Sequence, residues 1–282
     1  MHRYLVYDVF TETAFGGNQL AVFPDANDIP EYLLQSIATE FNFSEVTFVY
    51  APENKKNTAR VRIFTPTMEI DFAGHPTIGT IYALAESGIR SPMTLELGIG
   101  PVEGDFGEAG ASFTTVAKLQ KISEPDAELV AAALGLSEDA IQTTIHKPSQ
   151  LTMGLPFVIA ELKSREDLAA CKPNNEKIRE GAERYPAGLD FALFAYHREG
   201  QRISSRMFAP LDQIPEDPAT GSASATLASF LTELTGEPQN LFFSQGEDMG
   251  RLSTISVATT LHPACATVTG KSVRVMQGEL LI

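Results

Sequence analysis

Arg62-Ile63-Phe64-Thr65-Pro66 leads through a loop into Gly74-His75-Pro76-Thr77 and then an apolar segment of helical length. The same order returns 144 residues later, about half the chain: Arg206-Met207-Phe208-Ala209-Pro210, a loop, Thr220-Gly221-Ser222 and a second apolar segment. Fixed short periods argue repeat arrays, whereas two copies at half-length argue two related domains. The duplication also puts two helix N-termini in one molecule. If the halves face each other, those termini converge on one cleft, which is a ready anion site.

Neither apolar segment has a polar face. Thr77-Ile78-Gly79-Thr80-Ile81-Tyr82-Ala83-Leu84-Ala85 carries no charge, and 222–231 is made of small and apolar residues. A helix of that kind must be surrounded by protein. The segments near 2–9, 19–23, 46–50, 58–64 and 93–97 read as strands that supply the shell, as do those near 141–145, 155–160, 191–197 and 202–208. Each half is then a curled sheet around a central helix, an α+β architecture. Helix starts are expected at Pro76, a residue favoured at the first helical position, and at Thr220 or Ser222 as the cap of the second helix. Short helices are expected at 30–38, at 126–134 and, two of them, within 163–187.

Length, at 282 residues, allows one or two domains, and 43% hydrophobic with 20% charged residues is ordinary for a globular protein. A net charge of −15 disfavours nucleic acid and anionic membrane surfaces, so local dipoles must draw in any anionic substrate. The start goes straight into alternating apolar residues with no secretory segment or long apolar span, which points to a cytoplasmic protein. Cys171 and Cys265 make no disulfide framework or zinc motif and read as reduced thiols. No G-x-G-x-x-G, P-loop, HxH or HExxH pattern is present, so neither a nucleotide cofactor nor a metal is expected.

The chain resembles the phenazine-biosynthesis PhzF-like family of the diaminopimelate epimerase fold superfamily. The resemblance is carried by Asp8-Val9-Phe10, Gly17-Asn18, Ser44-Glu45-Val46-Thr47-Phe48-Val49, Arg62-Ile63-Phe64-Thr65-Pro66 and Phe72-Ala73-Gly74-His75-Pro76-Thr77. It continues through Glu216-Asp217-Pro218-Ala219-Thr220-Gly221-Ser222-Ala223 and Gln245-Gly246 to Gly250-Arg251-Leu252-Ser253. It implies two pseudo-symmetric domains, 1–117 joined by a returning C-terminal strand (262–282) and 118–261, with the active site in their cleft and often a homodimer. Leu252 departs from the proline the family often shows there. Two-thiol epimerases of the superfamily carry cysteines at positions that look like Ala73 and Pro218 here, so a two-thiol racemase is not expected.

By the same resemblance Glu45 matches the proton-shuttling glutamate, and His75, Asp217 and Ser222 match the residues around the substrate. Local sequence fits those roles. Glu45 has apolar neighbours, so partial burial would raise its pKa and let it take and return a proton. His75, at a helix start, suits a donor or acid of depressed basicity, and Asp217 could set its tautomer. Gly74, Thr220, Gly221 and Ser222 can receive a substrate carboxylate on backbone N–H groups and a hydroxyl, and Asn18 can line the same cleft. The bland readings are a solvated strand-edge carboxylate, a packed histidine, an Asx-type turn and plain N-capping. Together the residues point to a cofactor-free isomerase of a small carboxylate-bearing cyclic or unsaturated metabolite. A non-enzymatic binding protein on the same fold and an amino-acid epimerase remain the alternatives.

Overall fold

A computed structural model describes residues 1–187 and 191–282. They form two units: Met1–Thr115 with Ser253–Ile255 and Thr267–Ile282, and Val116–Leu252 with Ser256–Ala266.

In unit 1, β1 (His2–Val9) pairs antiparallel with β2 (Asn18–Phe23), and α1 (Leu34–Phe41) crosses over to β3 (Glu45–Tyr50), parallel to β2. β4 (Ala59–Phe64) runs antiparallel to β3 and to the two-residue β5 (Glu69–Ile70). Next, α2 (Gly74–Glu86) crosses to β6 (Met93–Leu97), parallel to β4, and β7 (Gly100–Gly107) and β8 (Gly110–Thr115) extend the sheet as a meander.

Unit 2 opens with β9 (Gln120–Ser123), α3 (Ala127–Ala133) and β10 (Ile141–Gln142). It continues with β11 (Ser149–Thr152), β12 (Pro156–Leu162), α4 (Arg165–Ala170), α5 (Asn175–Arg184), β13 (Leu193–Glu199), β14 (Arg202–Ala209), β15 (Ile214–Asp217), α6 (Gly221–Thr235) and β16 (Asn240–Gln245). The pairings from β11 to β16 repeat those from β1 to β6: antiparallel, parallel across a helical crossover, antiparallel, a short antiparallel strand, then parallel across a central helix. The duplication is therefore a duplication of topology. β17 (Ser253–Leu261) and β18 (Ala264–Gly270) follow, and β19 (Ser272–Leu280) pairs antiparallel with β1 along its length.

Strand alternation sorts the sheet faces. In unit 1, Ala21, Phe23, Val46, Phe48 and Phe64 pack beneath α1 with Leu34, Ile37 and Ala38, and Phe23 stacks on Phe48 at 5.0 Å. The other face carries Leu20, Val22, Glu45 and Thr47 toward α2, which is buried along most of its length. Gly79 allows that approach, since a Cβ there would lie 2.4 Å from Leu20 Cδ2 and 2.9 Å from Val9 Cγ2. Thr80 of α2 donates to Thr47 at 3.1 Å, so the two buried hydroxyls satisfy each other. Unit 2 is built alike: Val158, Ala160, Leu162, Leu193, Ala195 and Phe208 pack against α3, α4 and α5. On the opposite face, Phe230 of α6 meets the His146 ring edge-on, and Tyr196 bonds His146 Nε2 at 2.8 Å.

The repeated arginines act as fasteners. Arg62 grips Glu69 through two bonds of 2.7 Å and lies over Phe64, while Arg206 grips Glu216 through two of 2.8 Å and lies over Phe208. Each fork ties the second strand of a hairpin to the short strand that enters the central helix, fixing where that helix begins.

Some boundaries differ from the sequence reading. The first helix is Leu34–Phe41 behind a 3₁₀ turn, because Asn42 takes a left-handed C-cap (φ 52°) well past Ala38. The strand expected over 141–145 stops at Gln142. Its side-chain oxygen accepts from the amides of Thr143 and Thr144 and from the Thr144 hydroxyl, which turns the backbone away from a ladder.

Candidate active site

Glu45 is the first residue of β3, and alternation aims it toward α2, whose second residue is His75. Glu45 Oε2 lies 3.2 Å from His75 Nδ1, with the side chains 13% and 4% exposed. His75 Nε2 lies 3.3 Å from the Gln19 carbonyl, which can only accept, so Nε2 carries the hydrogen and Nδ1 presents its lone pair. Burial, more than anything else, pushes the imidazole down to about 3, against a smaller opposing effect of the Gln19 carbonyl. The ring is thus neutral near pH 7, so its contact with Glu45 is not an ion pair, and a hydrogen bond at Nδ1 needs the proton on the Glu45 carboxyl group. This changes the expected role of His75: it is an acceptor at Nδ1, and its tautomer is set by a backbone carbonyl of its own unit.

Asn18 completes this group. Its Nδ2 lies 3.5 Å from His75 Nδ1, and its Oδ1 accepts from Ser44 at 3.4 Å. The preceding turn requires glycine at 17, where φ is +60° and a Cβ would sit 2.3 Å from the Val9 carbonyl oxygen. Gly74 is the first residue of α2, and Ala73, its N-cap, offers no side-chain bond to the helix start. The helix begins at Gly74, two residues before the start expected at Pro76, which lies in its first turn.

In unit 2, Asp217 ends β15 and Thr220 is the N-cap of α6, which begins at Gly221. The Thr220 hydroxyl does not cap the helix. It donates to Asp217 Oδ2 at 2.5 Å, while the Thr220 amide donates to Gln245 Oε1 at 3.2 Å. Of the candidate binding residues here, Thr220 is thus engaged internally, and Gly221 and Ser222 stand in the uncapped first turn. Ser222 is inside the helix, so plain N-capping does not account for it.

The register relates the two copies. Phe48 faces Arg62 and Ala195 faces Arg206, which makes Glu45 the counterpart of Ala192. Each central helix begins five residues after its clamped glutamate, so Ala73 corresponds to Thr220 and His75 to Ser222. Thr220, rather than Pro218, is therefore the partner position of Ala73, and neither copy has a thiol there. Cys171 is buried, its thiol pushed up to about 12 chiefly by desolvation, and Cys265 lies in β18.

The sequence profile described as phenazine biosynthesis-like protein (PhzC-PhzF) matches residues 7–278. The chain belongs to the PhzF family. It is 36% identical to an uncharacterized isomerase of Mesorhizobium japonicum over 99% of both chains. It is 34% identical to the trans-2,3-dihydro-3-hydroxyanthranilate isomerase of Pseudomonas fluorescens, over 90% of this chain and 88% of that one. The crystal structure of a Bacillus anthracis PhzF-family protein superposes with a TM-score of 0.87 at 25% identity, covering 100% and 99% of the two chains. A hydroxyproline epimerase of Agrobacterium vitis (TM-score 0.62, 12% identity) shares the fold alone. The chain is thus a PhzF-type isomerase of α+β fold. Among the described residues no helix is long and apolar enough to cross a membrane.

What sequence reasoning missed around these residues is a supporting set, Gln245 with Arg206 and Glu216. Gln245 stands inside a family motif, but nothing in its surroundings gives it a role. Its only local signal is a polar amide ending a strand otherwise buried at alternate positions.

Proposed function

We propose that this PhzF-type isomerase moves a proton between two carbons of a small, carboxylate-bearing cyclic or unsaturated compound without a cofactor, with Glu45 as the general acid/base. The observation that carries the reading is the 3.2 Å approach of Glu45 Oε2 to the acceptor nitrogen of a neutral, buried His75. Glu45 removes a proton from an activated C–H bond and leaves the electron pair in the substrate's conjugated system. The proton now on the carboxyl group can be held against His75 Nδ1 and is then delivered to the receiving carbon. A neutral imidazole does not compete as an acid. Within unit 2, we read the Gly221 and Ser222 amides and the Ser222 hydroxyl as donors of the kind a carboxylate takes, and Asp217 as a site residue beside them.

The relative's named substrate, trans-2,3-dihydro-3-hydroxyanthranilate, is the first compound to test. Turnover in deuterated water should place deuterium at the receiving carbon. Glu45→Gln, which keeps the size and loses the titrating group, should lower kcat by at least about 100-fold. Full activity in Glu45→Gln would overturn the assignment.

A further inference from the structure

The loop between β1 and β2 holds an aromatic ring out in solvent at a strained backbone position. Phe15 has a φ of +70° and is 72% exposed. The left-handed region suits glycine, so a phenylalanine there bears backbone strain while its ring gains little burial. Glycines follow at 16 and 17, and the turn itself gives no reason for a benzyl side chain ahead of them.

Hydrogen bonds fix this placement. The Phe15 amide donates to Oδ2 of the buried Asp8 at 2.6 Å. At the start of the loop the Phe10 carbonyl accepts from the Thr254 amide at 2.7 Å, and the Thr11 amide donates to the Lys271 carbonyl at 3.0 Å. Phe10 is itself fully buried against Gly270, where a Cβ would collide with its ring. Within the loop, the Thr13 amide donates to Thr11 Oγ1 at 3.1 Å and the Gly16 amide to the Thr13 carbonyl at 3.2 Å. Strain of this kind persists only where the surroundings impose it, and it clusters at sites that bind or react.

The displayed ring borders the site residues of unit 1. Asn18 follows three residues later, so the two Cα atoms lie within about 11 Å of each other, and the Asn18 amide reaches His75 Nδ1 at 3.5 Å. A ring that is already fixed loses little freedom when a ligand packs on it, and a stacked contact between flat groups is worth more than its buried area. We propose that Phe15 is a specificity-determining residue whose ring packs on the flat, unsaturated face of the substrate and favours planar cyclic carboxylates over puckered ones. The proposal rests on the reading of Glu45 as the acid/base of a proton-moving isomerase, and it deepens that reading by naming the side chain that senses the shape of the ring.

The test measures steady-state turnover of trans-2,3-dihydro-3-hydroxyanthranilate by wild type, Phe15→Ala, Phe15→Gly and Phe15→Tyr. Calorimetric binding of benzoate and of cyclohexanecarboxylate supplies a flat and a puckered probe of similar size. KM should rise about 10-fold in Phe15→Ala and Phe15→Gly with a smaller change in kcat, and Phe15→Tyr, which keeps the ring, should keep KM. Wild type should bind benzoate more tightly than cyclohexanecarboxylate, and the two variants without a ring should lose that preference. Glycine fits the positive φ, so Phe15→Gly should keep the wild-type melting temperature, which separates loss of the ring from loss of the loop. An unchanged KM in both ringless variants overturns the proposal, as does a benzoate preference that survives in them. A fall in kcat at unchanged KM with a lowered melting temperature makes Phe15 merely structural and overturns it too. If the compound is not turned over, the two probes decide alone, and equal binding of both by wild type overturns the proposal. Full activity in Glu45→Gln is instead a failure of the parent reading, which neither the KM change nor the probe preference imitates.

Discussion

Replacing His75 with asparagine removes a titrating ring whose folded and unfolded proton affinities differ widely. In the unfolded chain the ring takes up a proton near its ordinary 6.5, whereas in the folded protein it does so only near 3. Between those values the unfolded state binds more protons, so the folded state loses stability as pH falls through that window and gains none above it. At pH 5 the deficit is about 1.5 pH units, or about 2 kcal/mol, and it approaches about 5 kcal/mol near pH 3. Urea unfolding of wild type and His75→Asn at pH 7.5, 6 and 5 isolates this contribution, because the other acid-sensitive groups are common to both proteins. The wild type should lose about 2 kcal/mol more than the variant between pH 7.5 and 5. In parallel, the Cε1 proton resonance of His75 should stay at its neutral position down to pH 5, while that of His146, which burial also lowers, should titrate below the usual histidine range. Equal acid slopes in the two proteins, or a His75 resonance that titrates near 6.5, would refute the argument that this imidazole is neutral and an acceptor.

Arg206→Lys should destabilise by about 3 kcal/mol, because a lysine cannot keep both bonds to Glu216 while serving three carbonyls, and Arg62→Lys, at a more exposed fork, by about 1 kcal/mol; thermal unfolding compares them. Thr80→Val strands the Thr47 hydroxyl and should cost about 2 kcal/mol, whereas Thr47→Val with Thr80→Val should cost clearly less than twice that, as denaturant midpoints will show. Gly17→Ala should cost upward of about 1 kcal/mol, since a positive φ and a 2.3 Å approach to the Val9 carbonyl oxygen act together, and it should also lower turnover by displacing Asn18. With a thiol reagent at pH 8, one cysteine should react in the native protein and two in denaturant, because Cys171 is buried with its thiol held near 12.

The frame was legible where a residue pattern had one structural solution. A segment such as Thr77–Ala85, with no charge on any side, can only be a helix inside a shell, and the repeated Arg-x-Phe-x-Pro fixed how often that solution occurs. Glu45 and His75 were legible through the family motifs they occupy, since local sequence alone also allowed a strand-edge carboxylate and a packed histidine. The β7–β8 hairpin was hidden by its glycines, one of which, Gly104, exists to admit Ile81 of α2, a tertiary cause with no local trace. The supporting set around Asp217 was hidden for a different reason. An uncharged glutamine and an arginine bonded to main-chain carbonyls say nothing about their partners until the chain has folded.

The arginine forks show what a gene duplication left untouched. Side chains at the mouth of each copy have drifted apart, with glutamate against alanine at 45 and 192 and histidine against serine at 75 and 222, yet both fastenings survive. Shape and reactivity are thus inherited through separate residues. A chemist wishing to retool this scaffold can rewrite the latter set and leave the former alone.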